Sequence, residues 1–361
     1  MAFEIKPIKE VAKVFTGKTP SKSVSEYFGG DIPFVTPAEL DKGHFVYSSA
    51  QTLSKRGAET IKLLPKDSVM VCCIGSLGKI GIAGRKLATN QQINSVVFDD
   101  KKVNFKYGFY ALSRLKPLME KIAPITTIPI INKSSFEQLE MPIPPLEQQT
   151  HIANILDHAT SLIEKRKAQI VELDQLVQSV FGEIFSKSSN KKEKWGNIFH
   201  TKTGKLDSNA MVDGGIYPFF TCAKEVFAIN DYAFDCEALL LAGNNAAGKY
   251  DVKHYKGKFN AYQRTYVLTL KNKDLSYLYF KVALERKLSY LQMQSKGTNT
   301  KYLTLSTLND LEFIIPIREQ QDLFDKIVQQ IQTQKSQLQA SLAELELNYQ
   351  SLMQRAFRGD L

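Results

Sequence analysis

Two stretches of the sequence repeat one another at an interval of 172 positions. Residues 139–149 and 311–321 both follow the pattern Leu-Glu-x-x-x-Pro-x-x-Glu-Gln-Gln, and each continues into a long helical pattern that ends near Phe185 or Phe357. An internal repeat constrains the fold strongly, because each copy is expected to form the same structural unit. The chain is therefore predicted to be pseudo-symmetric, in the order globule, helix, globule, helix.

The helical patterns after the repeat have the spacing of a coiled coil. From Ile152 and from Phe324, apolar residues recur alternately four and three positions apart for about four heptads, which is typical of a coiled-coil seam. One long cation interrupts each seam, and a polar residue there commonly fixes the register of pairing. The predicted seam residues are Leu156, Ile163, Arg166, Ile170 and Val177 in the first helix, and Ile331, Lys335, Leu338, Leu345 and Leu352 in the second. We expect the two helices to pair in antiparallel orientation, with two unrelated amphipathic helices as the alternative.

The segments that flank these helices have the pattern of mixed α/β domains. Both contain short apolar and β-branched runs separated by Gly and Pro, which is typical of strands and turns. One longer helix is predicted in each, from Phe105 to about Lys121 and over Leu275–Met293, and the polar stretch 186–192 is expected to be a flexible linker. The predicted fold class is α+β, with two α/β globules separated by two long helices that form an intramolecular antiparallel coiled coil with pseudo-two-fold symmetry. The predicted domain boundaries are 1–145 and 187–317 for the globules, and 146–186 and 318–361 for the helices.

Positive charge is concentrated in the two predicted globules. The chain has a net charge of +10, and residues 1–145 hold 20 Lys and Arg against 13 Asp and Glu. Residues 190–317 hold 18 against 12, whereas 146–189 and 318–361 are slightly acidic, with 4 against 6 and 5 against 6. A basic globule indicates a polyanionic partner. Simple solubility is the alternative, but it would not predict this segregation.

The sequence favours a cytoplasmic protein. No run approaches 18 apolar residues, and the start of the chain lacks the apolar core of a signal peptide. The four cysteines, Cys72, Cys73, Cys222 and Cys236, form no C-x-x-C pair. They are expected to be reduced core residues rather than metal ligands or redox groups.

Each globule contains a glycine-rich turn that ends in lysine. Gly243–Lys249 begins like a phosphate-binding loop, but Tyr250 replaces the Ser or Thr that would bind Mg²⁺, and the following residues lack a helical pattern. A shorter turn of the same kind is Gly75–Lys79. Paired turns in two basic globules fit contacts with a phosphate backbone, and ordinary hairpins with solvated lysines are the alternative.

No motif in the sequence points to catalysis or to a metal centre. Pro144-Pro145 is preceded by Ile143, so it is not the Asn/Asp-Pro-Pro-aromatic motif of adenine methyltransferases. There is no paired acidic and lysine nuclease motif and no H-E-x-x-H motif. His151 and His158 lie seven positions apart on one predicted helix without a third ligand. The chain is therefore predicted to be non-catalytic.

A series of short motifs carries a resemblance to a known family. They are Val11–Ser21, Tyr27–Val35, Leu64–Val69, Gly75–Ile80, Ala88–Asn94, Pro142–Gln149 and Arg355–Leu361, with the looser Gly257–Leu268 in the second globule. Any one of these motifs is weak, but in this order they closely resemble the specificity subunit of type I restriction-modification enzymes over nearly the whole chain. Two departures from the family pattern are Phe34 in place of Trp and Cys73-Ile74 in place of a basic pair.

The resemblance implies a DNA-recognition and scaffold subunit. Each globule would be a target-recognition domain for one half of a bipartite, asymmetric site in double-stranded DNA, and the helices would set the distance between the halves. The helices would also dock two modification (methyltransferase) subunits, to which restriction (translocase and nuclease) subunits can be added. No cofactor is expected in this chain, since S-adenosylmethionine and ATP with Mg²⁺ would be bound by those partners.

The candidate DNA-contacting residues follow from the motifs and turns above. In the first globule they are Lys18, Thr19, Ser21, Lys79, Asn90 and Gln91, and in the second they are Lys205, Asn245, Lys249, Gln263 and Arg264. Lys79 and Lys249 are expected to touch phosphates, and Gln91 and Gln263 are related by the same interval of 172. The bases that are recognised cannot be inferred, because direct readout depends on loop geometry in the grooves. The alternatives are an enzyme with a cryptic site and a coiled-coil adaptor whose basic domains bind RNA or acidic proteins.

Overall fold

A computed structural model describes residues 3–124, 128–186, 191–246 and 248–361. The chain divides into two compact units, Met1–Lys165 with Leu342–Leu361, and Arg166–Ser341. We call these unit 1 and unit 2. Two long helices, α6 (Leu146–Phe185) and α11 (Arg318–Arg358), each contribute one half to each unit. Within the described residues, no helix is long and apolar enough to cross a membrane.

Unit 1 contains a five-stranded sheet in the order β2-β9-β6-β7-β4 and a three-stranded sheet in the order β5-β3-β8. The central strand β6 is a run of four apolar residues, two of them β-branched valines, and all four are buried. The strands are β1 (Glu4–Pro7), β2 (Ala12–Thr16), β3 (Phe28–Val35), β4 (Phe45–Val46), β5 (Gln51–Leu53), β6 (Val69–Cys72), β7 (Ile80–Ala83), β8 (Ala88–Thr89), β9 (Ile93–Phe98) and β10 (Glu140–Ile143). The short helices are α1 (Ile8–Val11), α2 (Lys55–Glu59), α3 (Phe105–Ser113), α4 (Lys116–Ile122) and α5 (Lys133–Glu137).

Unit 2 contains a six-stranded sheet in the order β12-β18-β15-β17-β13-β14. Its strands are β11 (Lys192–Lys194), β12 (Phe199–Thr203), β13 (Tyr217–Phe220), β14 (Phe227–Ile229), β15 (Phe234–Ala242), β16 (Asn244–Asn245), β17 (Val252–Ala261), β18 (Thr265–Leu270), β19 (Lys301–Tyr302) and β20 (Glu312–Ile314). Its short helices are α7 (Trp195–Ile198), α8 (Tyr277–Glu285), α9 (Leu288–Gln294) and α10 (Leu305–Asn309). In both main sheets the first strand pairs antiparallel with the last, β2 with β9 and β12 with β18.

The first and last strands of each globule pair with one another. β1 pairs antiparallel with β10, so that Glu4 lies opposite Ile143, and β11 pairs antiparallel with β20, so that Lys192 lies opposite Ile314. The prediction of a flexible linker over 186–192 is therefore wrong at its end, where residue 192 begins a paired strand. Residues 187–190 of that linker lie outside the described residues.

The two single helices predicted in the globules are each divided in two. α3 ends at Ser113 and α4 begins at Lys116, where Pro117 lies in the first turn. Proline lacks the N–H that a continuous helix would need there, and its ring clashes with the preceding turn. In unit 2 the corresponding break between α8 and α9 falls at Arg286 and Lys287.

The long helices pair in antiparallel orientation, as each unit shows by itself. In unit 1, Leu156 from the first half of α6 lies in the same hydrophobic cluster as Phe357 from the end of α11. In unit 2, Phe181 from the second half of α6 packs at 5.5 Å, between ring centroids, on Phe324 from the start of α11. Lys335 Nζ also lies 2.5 Å from Asp174 Oδ1 across the helix pair. The predicted fold class is thus confirmed.

Burial along the predicted seam is uneven. Leu156, Ile163 and Ile331 are buried, whereas Arg166, Ile170, Val177, Lys335, Leu338, Leu345 and Leu352 are half-buried. The periodicity did not identify Phe181 and Phe185, which are buried against Tyr279 of α8. Within each unit, the long helices are therefore buried most fully where they pack on the globule core, and most of their other seam residues are only half-buried.

Candidate functional site

In unit 1, the loop after β2 lies against the turn that precedes β9. Lys18 N donates to Thr89 O at 3.0 Å, and a Cβ atom on Gly17 would lie 2.1 Å from the Asn90 carbonyl oxygen, so only glycine permits this approach. Thr19 Oγ1 donates to Gln91 Oε1 at 2.7 Å. The side chains of Lys18 and Gln91 are exposed. The structure therefore brings three of the predicted residues together on one edge of the sheet.

Unit 2 repeats this arrangement with different residues. A Cβ atom on Gly204 would lie 1.8 Å from the Ala261 carbonyl oxygen, and Gln263 N donates to Leu206 O at 2.9 Å. Lys205 follows Gly204 as Lys18 follows Gly17, and Lys205 and Gln263 are exposed. Arg264 is also exposed, and its backbone oxygen accepts a hydrogen bond from Gly243 N. We call these two places the paired edge surfaces, comprising Lys18, Thr19 and Gln91 in unit 1 and Lys205, Gln263 and Arg264 in unit 2.

Two further predicted residues of unit 1 have local contacts. Asn90 is only 8% exposed, and its side chain holds the turn by donating to Gln92 Oε1 at 2.8 Å and accepting from Gln92 N at 3.1 Å. Ser21 is exposed, and its Oγ lies 2.7 Å from Ser23 Oγ. Asn90 therefore stabilises the turn from within the protein, whereas its neighbour Gln91 is exposed.

The Gly–Lys turn of unit 1 lies between β6 and β7. Gly75 and Gly78 both have positive φ, at 79° and 76°, which favours glycine. Lys79 is half-buried and lines a cavity of about 370 Å³ together with Lys116, Asp41 and Glu120. Since this cavity holds carboxylates as well as ammonium groups, its field is less favourable to a phosphate than that of an isolated lysine.

The Gly–Lys turn of unit 2 does not have the geometry of a nucleotide-binding loop. Asn244–Asn245 forms β16, paired with β19, and Lys249 N donates to Asn245 Oδ1 at 3.3 Å. After Lys249 the chain continues into strand β17, where a phosphate-binding loop would open a helix. Lys249 is exposed, and Ala247 lies outside the described residues.

The buried thiols of unit 1 and one buried hydroxyl of unit 2 have raised pKa values. Burial raises the pKa of the Cys73 thiol to about 12 and also raises the pKa of Cys72, so both thiols are protonated at neutral pH. Burial likewise raises the pKa of Tyr266, whose hydroxyl donates to Leu303 O at 3.0 Å. Over the part of the chain that the structure describes, no group of three or more His, Cys, Asp or Glu side chains could hold a metal ion.

Sequence reasoning missed that Lys18 and Lys205 occupy equivalent positions. Each follows a glycine that comes directly after the first strand of the larger sheet, β2 or β12, but their separation is not the 172 positions of the repeat. The segment between the first strand and the last strand differs in length in the two globules. The signal that could have found this equivalence is the common order of strand, glycine and lysine.

Comparisons with known proteins agree with this architecture. A sequence model of the family described as the type I restriction modification DNA specificity domain matches residues 2–175 and 180–347. The chain is 35% identical over 175 residues to the type I restriction enzyme EcoDI specificity subunit of Escherichia coli, a match that covers 47% of this chain and 38% of that protein. It is 28% identical over 188 residues to the MjaIX specificity subunit of Methanocaldococcus jannaschii, which covers 51% of this chain and 44% of that protein. These matches span less than half the length of either relative.

The fold is also similar to that of a solved structure. The crystal structure of a type I restriction-modification system S subunit from M. genitalium aligns with a TM-score of 0.63 and 18% identity. The alignment covers 99% of this chain and 96% of that chain. At this identity the likeness concerns the fold alone.

Proposed function

The chain belongs to the type I restriction modification DNA specificity family, and we propose that it is the DNA sequence-recognition subunit of a type I restriction-modification complex. Each globule contacts one half of a bipartite, asymmetric site in double-stranded DNA, which we call a half-site. The antiparallel helices fix the separation of the half-sites. The chain itself carries out no chemical step.

The observation that carries this proposal is the pair of equivalent edge surfaces. Each presents an exposed lysine beside an exposed glutamine, on a globule with an excess of positive charge. Lysine contacts to phosphates supply affinity and position, and a glutamine amide can pair with the N6 and N7 edge of adenine. In unit 1, Thr19 Oγ1 donates to Gln91 Oε1 at 2.7 Å, which restricts the rotation of this amide and leaves its second Oε1 lone pair and its Nε2 donors available for a base edge.

Assembly with other subunits supplies the chemistry in this proposal. The long helices dock two modification subunits, which bind S-adenosylmethionine and methylate adenine, and restriction subunits add an ATP- and Mg²⁺-dependent activity. The support for a scaffold role is the set of large apolar side chains that the long helices leave exposed, such as Leu162 and Leu347 in unit 1 and Val171 in unit 2. The complex would act in the cytoplasm, where its DNA substrate lies.

Replacement of one globule tests the division of labour. The chain is co-expressed with its cognate modification subunit, and the methylated adenines of the host genome are mapped by sequencing. Replacing residues 1–140 with the corresponding segment of another family member should change the bases of one half-site and leave the other half-site unaltered. A change in both half-sites, or methylation without a bipartite motif, would contradict the proposal.

The salt dependence of binding tests the edge surfaces. Lys18→Ala and Lys205→Ala should each weaken binding of the complex to its site and reduce the slope of log K against log salt by about 0.9, the value for one phosphate contact. The matched controls are Lys101→Ala and Lys273→Ala, since both lysines are exposed. They follow the C-terminal ends of β9 and β18, whereas Gln91 and Gln263 of the edge surfaces precede the N-terminal ends of the same strands. Equal slopes in all four variants would mean that the edge surfaces do not contact the DNA backbone.

A further inference from the structure

A buried glutamine joins each long helix to the globule beside it. Gln149 lies in the first turn of α6 and is fully buried, and Gln321 lies in the first turn of α11 and is 2% exposed. A buried primary amide is costly unless its donors and acceptor are all bonded to suitable partners. The partners of these two side chains therefore indicate what the glutamines do.

The Gln149 amide bonds to three backbone groups in unit 1. Its Oε1 accepts from Asn104 N at 2.8 Å, and its Nε2 donates to Lys102 O at 2.9 Å and to Pro144 O at 2.8 Å. Only one orientation of the amide suits one N–H and two carbonyl groups. The side chain thus ties the start of α6 to Asn104, the N-cap residue of α3, which is the helix that packs on the five-stranded sheet.

The Gln321 amide makes two of the equivalent bonds in unit 2. Its Oε1 accepts from Ser276 N at 2.8 Å, and its Nε2 donates to Pro316 O at 2.9 Å. Ser276 is the N-cap residue of α8, as Asn104 is of α3. The interval of 172 relates Gln149 to Gln321 and Asn104 to Ser276. The same connection therefore occurs twice, once for each globule.

A tyrosine supports each of these junctions. Tyr107 of α3 donates its hydroxyl to Pro142 O at 2.7 Å, and Tyr279 of α8 donates its hydroxyl to Ile314 O at 2.7 Å. Both carbonyl groups belong to the strand that leads into the long helix. Each junction is therefore held by side-chain bonds to backbone atoms on both sides, which leaves the globule little freedom to rotate about the start of its helix.

We propose that Gln149 and Gln321 are positioning residues that determine how strictly the protein measures the spacer between its half-sites. This inference rests on the proposed function. Helix length sets the separation of the globules, and the buried amide sets the angle at which each globule leaves its helix. One base pair added to a spacer displaces a half-site by about 3.4 Å and rotates it by about 35° around the duplex axis. A rigid junction rejects that change, and a loosened junction accommodates it.

The test compares spacers at constant half-sites. The full chain is assembled with its cognate modification subunit, and methylation is measured on duplexes whose spacer is native, one base pair shorter or one base pair longer. Gln149→Met keeps the length and volume of the side chain and removes its hydrogen bonds. The preference for the native spacer should fall by at least about fivefold, the factor that corresponds to the net contribution of one buried hydrogen bond, since three such bonds are lost. The preference for the correct bases within each half-site should stay unchanged.

Matched variants separate positioning from a loss of folding. Gln175→Met and Gln330→Met make the same change at exposed positions of α6 and α11 and should retain the full spacer preference. If Gln149→Met does not fold, Tyr107→Phe and Tyr279→Phe remove only a hydroxyl from the same junctions, and a lowered spacer preference is expected there as well. A folded Gln149→Met or Gln321→Met complex with wild-type spacer preference would overturn this inference. Absence of a bipartite preference in the wild-type complex would instead overturn the proposed function.

Discussion

Removing one heptad from each long helix should shorten the spacer and leave both half-sites unchanged. The deletion takes residues 163–169 from α6 and 335–341 from α11. An α-helix rises about 1.5 Å per residue, so each helix loses about 10 Å, which corresponds to roughly 3 base pairs of duplex. The spacer of the methylated motif should therefore shrink by about 2 to 3 base pairs.

The structure indicates that this deletion is compatible with folding. In unit 1, the hydrophobic cluster uses α6 as far as Leu156 and α11 from Tyr349 onwards. In unit 2, the cluster uses α6 from Val177 and α11 as far as Val328. Within the two deleted segments, which the structure describes completely, only Ile163 is buried. Seven residues also change the phase of a helix by only about 20°, so the remaining seam stays aligned.

The assay is genome-wide mapping of methylated adenines in cells that express the shortened chain with its modification subunit. A control deletes 163–169 alone, which leaves the two helices mismatched in length and should abolish methylation. An unchanged spacer in the double deletion would refute the idea that the helices set the distance. Altered bases within a half-site would mean that the helices take part in base recognition.

Three further predictions concern stability. Burial lowers the pKa of His44 from its usual 6.5, so the neutral imidazole contributes its full stabilisation above pH 6.5. This contribution is lost as the pH falls through the lowered pKa. The melting temperature of the wild type should therefore fall more than that of His44→Gln between about pH 7.5 and about pH 5. Phe324→Ala should cost about 3–5 kcal/mol in chemical denaturation, because the ring is fully buried in an aromatic cluster, whereas Leu323→Ala, at an exposed neighbour, should change stability little. Lys335→Ala should cost less than about 1 kcal/mol, since Lys335 and its partner Asp174 are 29% and 60% exposed; a double-mutant cycle that gives several kcal/mol would contradict this.

The features that the sequence predicted well are those with local periodicity. The long helices follow from a heptad spacing that any short window of the sequence displays, and strands such as β6 and β9 follow from compact β-branched runs. The predicted helix that begins at Phe105 is divided next to Pro117, but the corresponding helix of unit 2 is divided without a proline, so proline alone would not have predicted both breaks.

The features that the sequence did not reveal depend on contacts between distant residues. From the sequence, Gln149 looks like a polar residue of a helix surface. It is buried by contacts with residues such as Asn104, which lies 45 positions earlier in the chain and therefore outside any local pattern. Phe181 was not predicted as a core residue, because it packs on Tyr279 of α8, 98 positions later in the chain, as well as on Phe324 of the other long helix. The sequence predicted the individual residues of the edge surfaces but not that Lys18 and Lys205 are equivalent. That equivalence depends on the close approach of Gly17 and of Gly204 to the turn before the last strand of each larger sheet.

The pairing of first and last strands has a consequence for the evolution of such proteins. Glu4 lies opposite Ile143 and Lys192 lies opposite Ile314, so each globule holds its own two ends side by side. A segment inserted between these ends costs little closure entropy, because that cost grows only slowly with loop length. We therefore expect that a whole globule can be replaced by another, or its loops lengthened, without a change in the helices. Helix length affects both globules at once, and it is expected to change only in steps that preserve the seam.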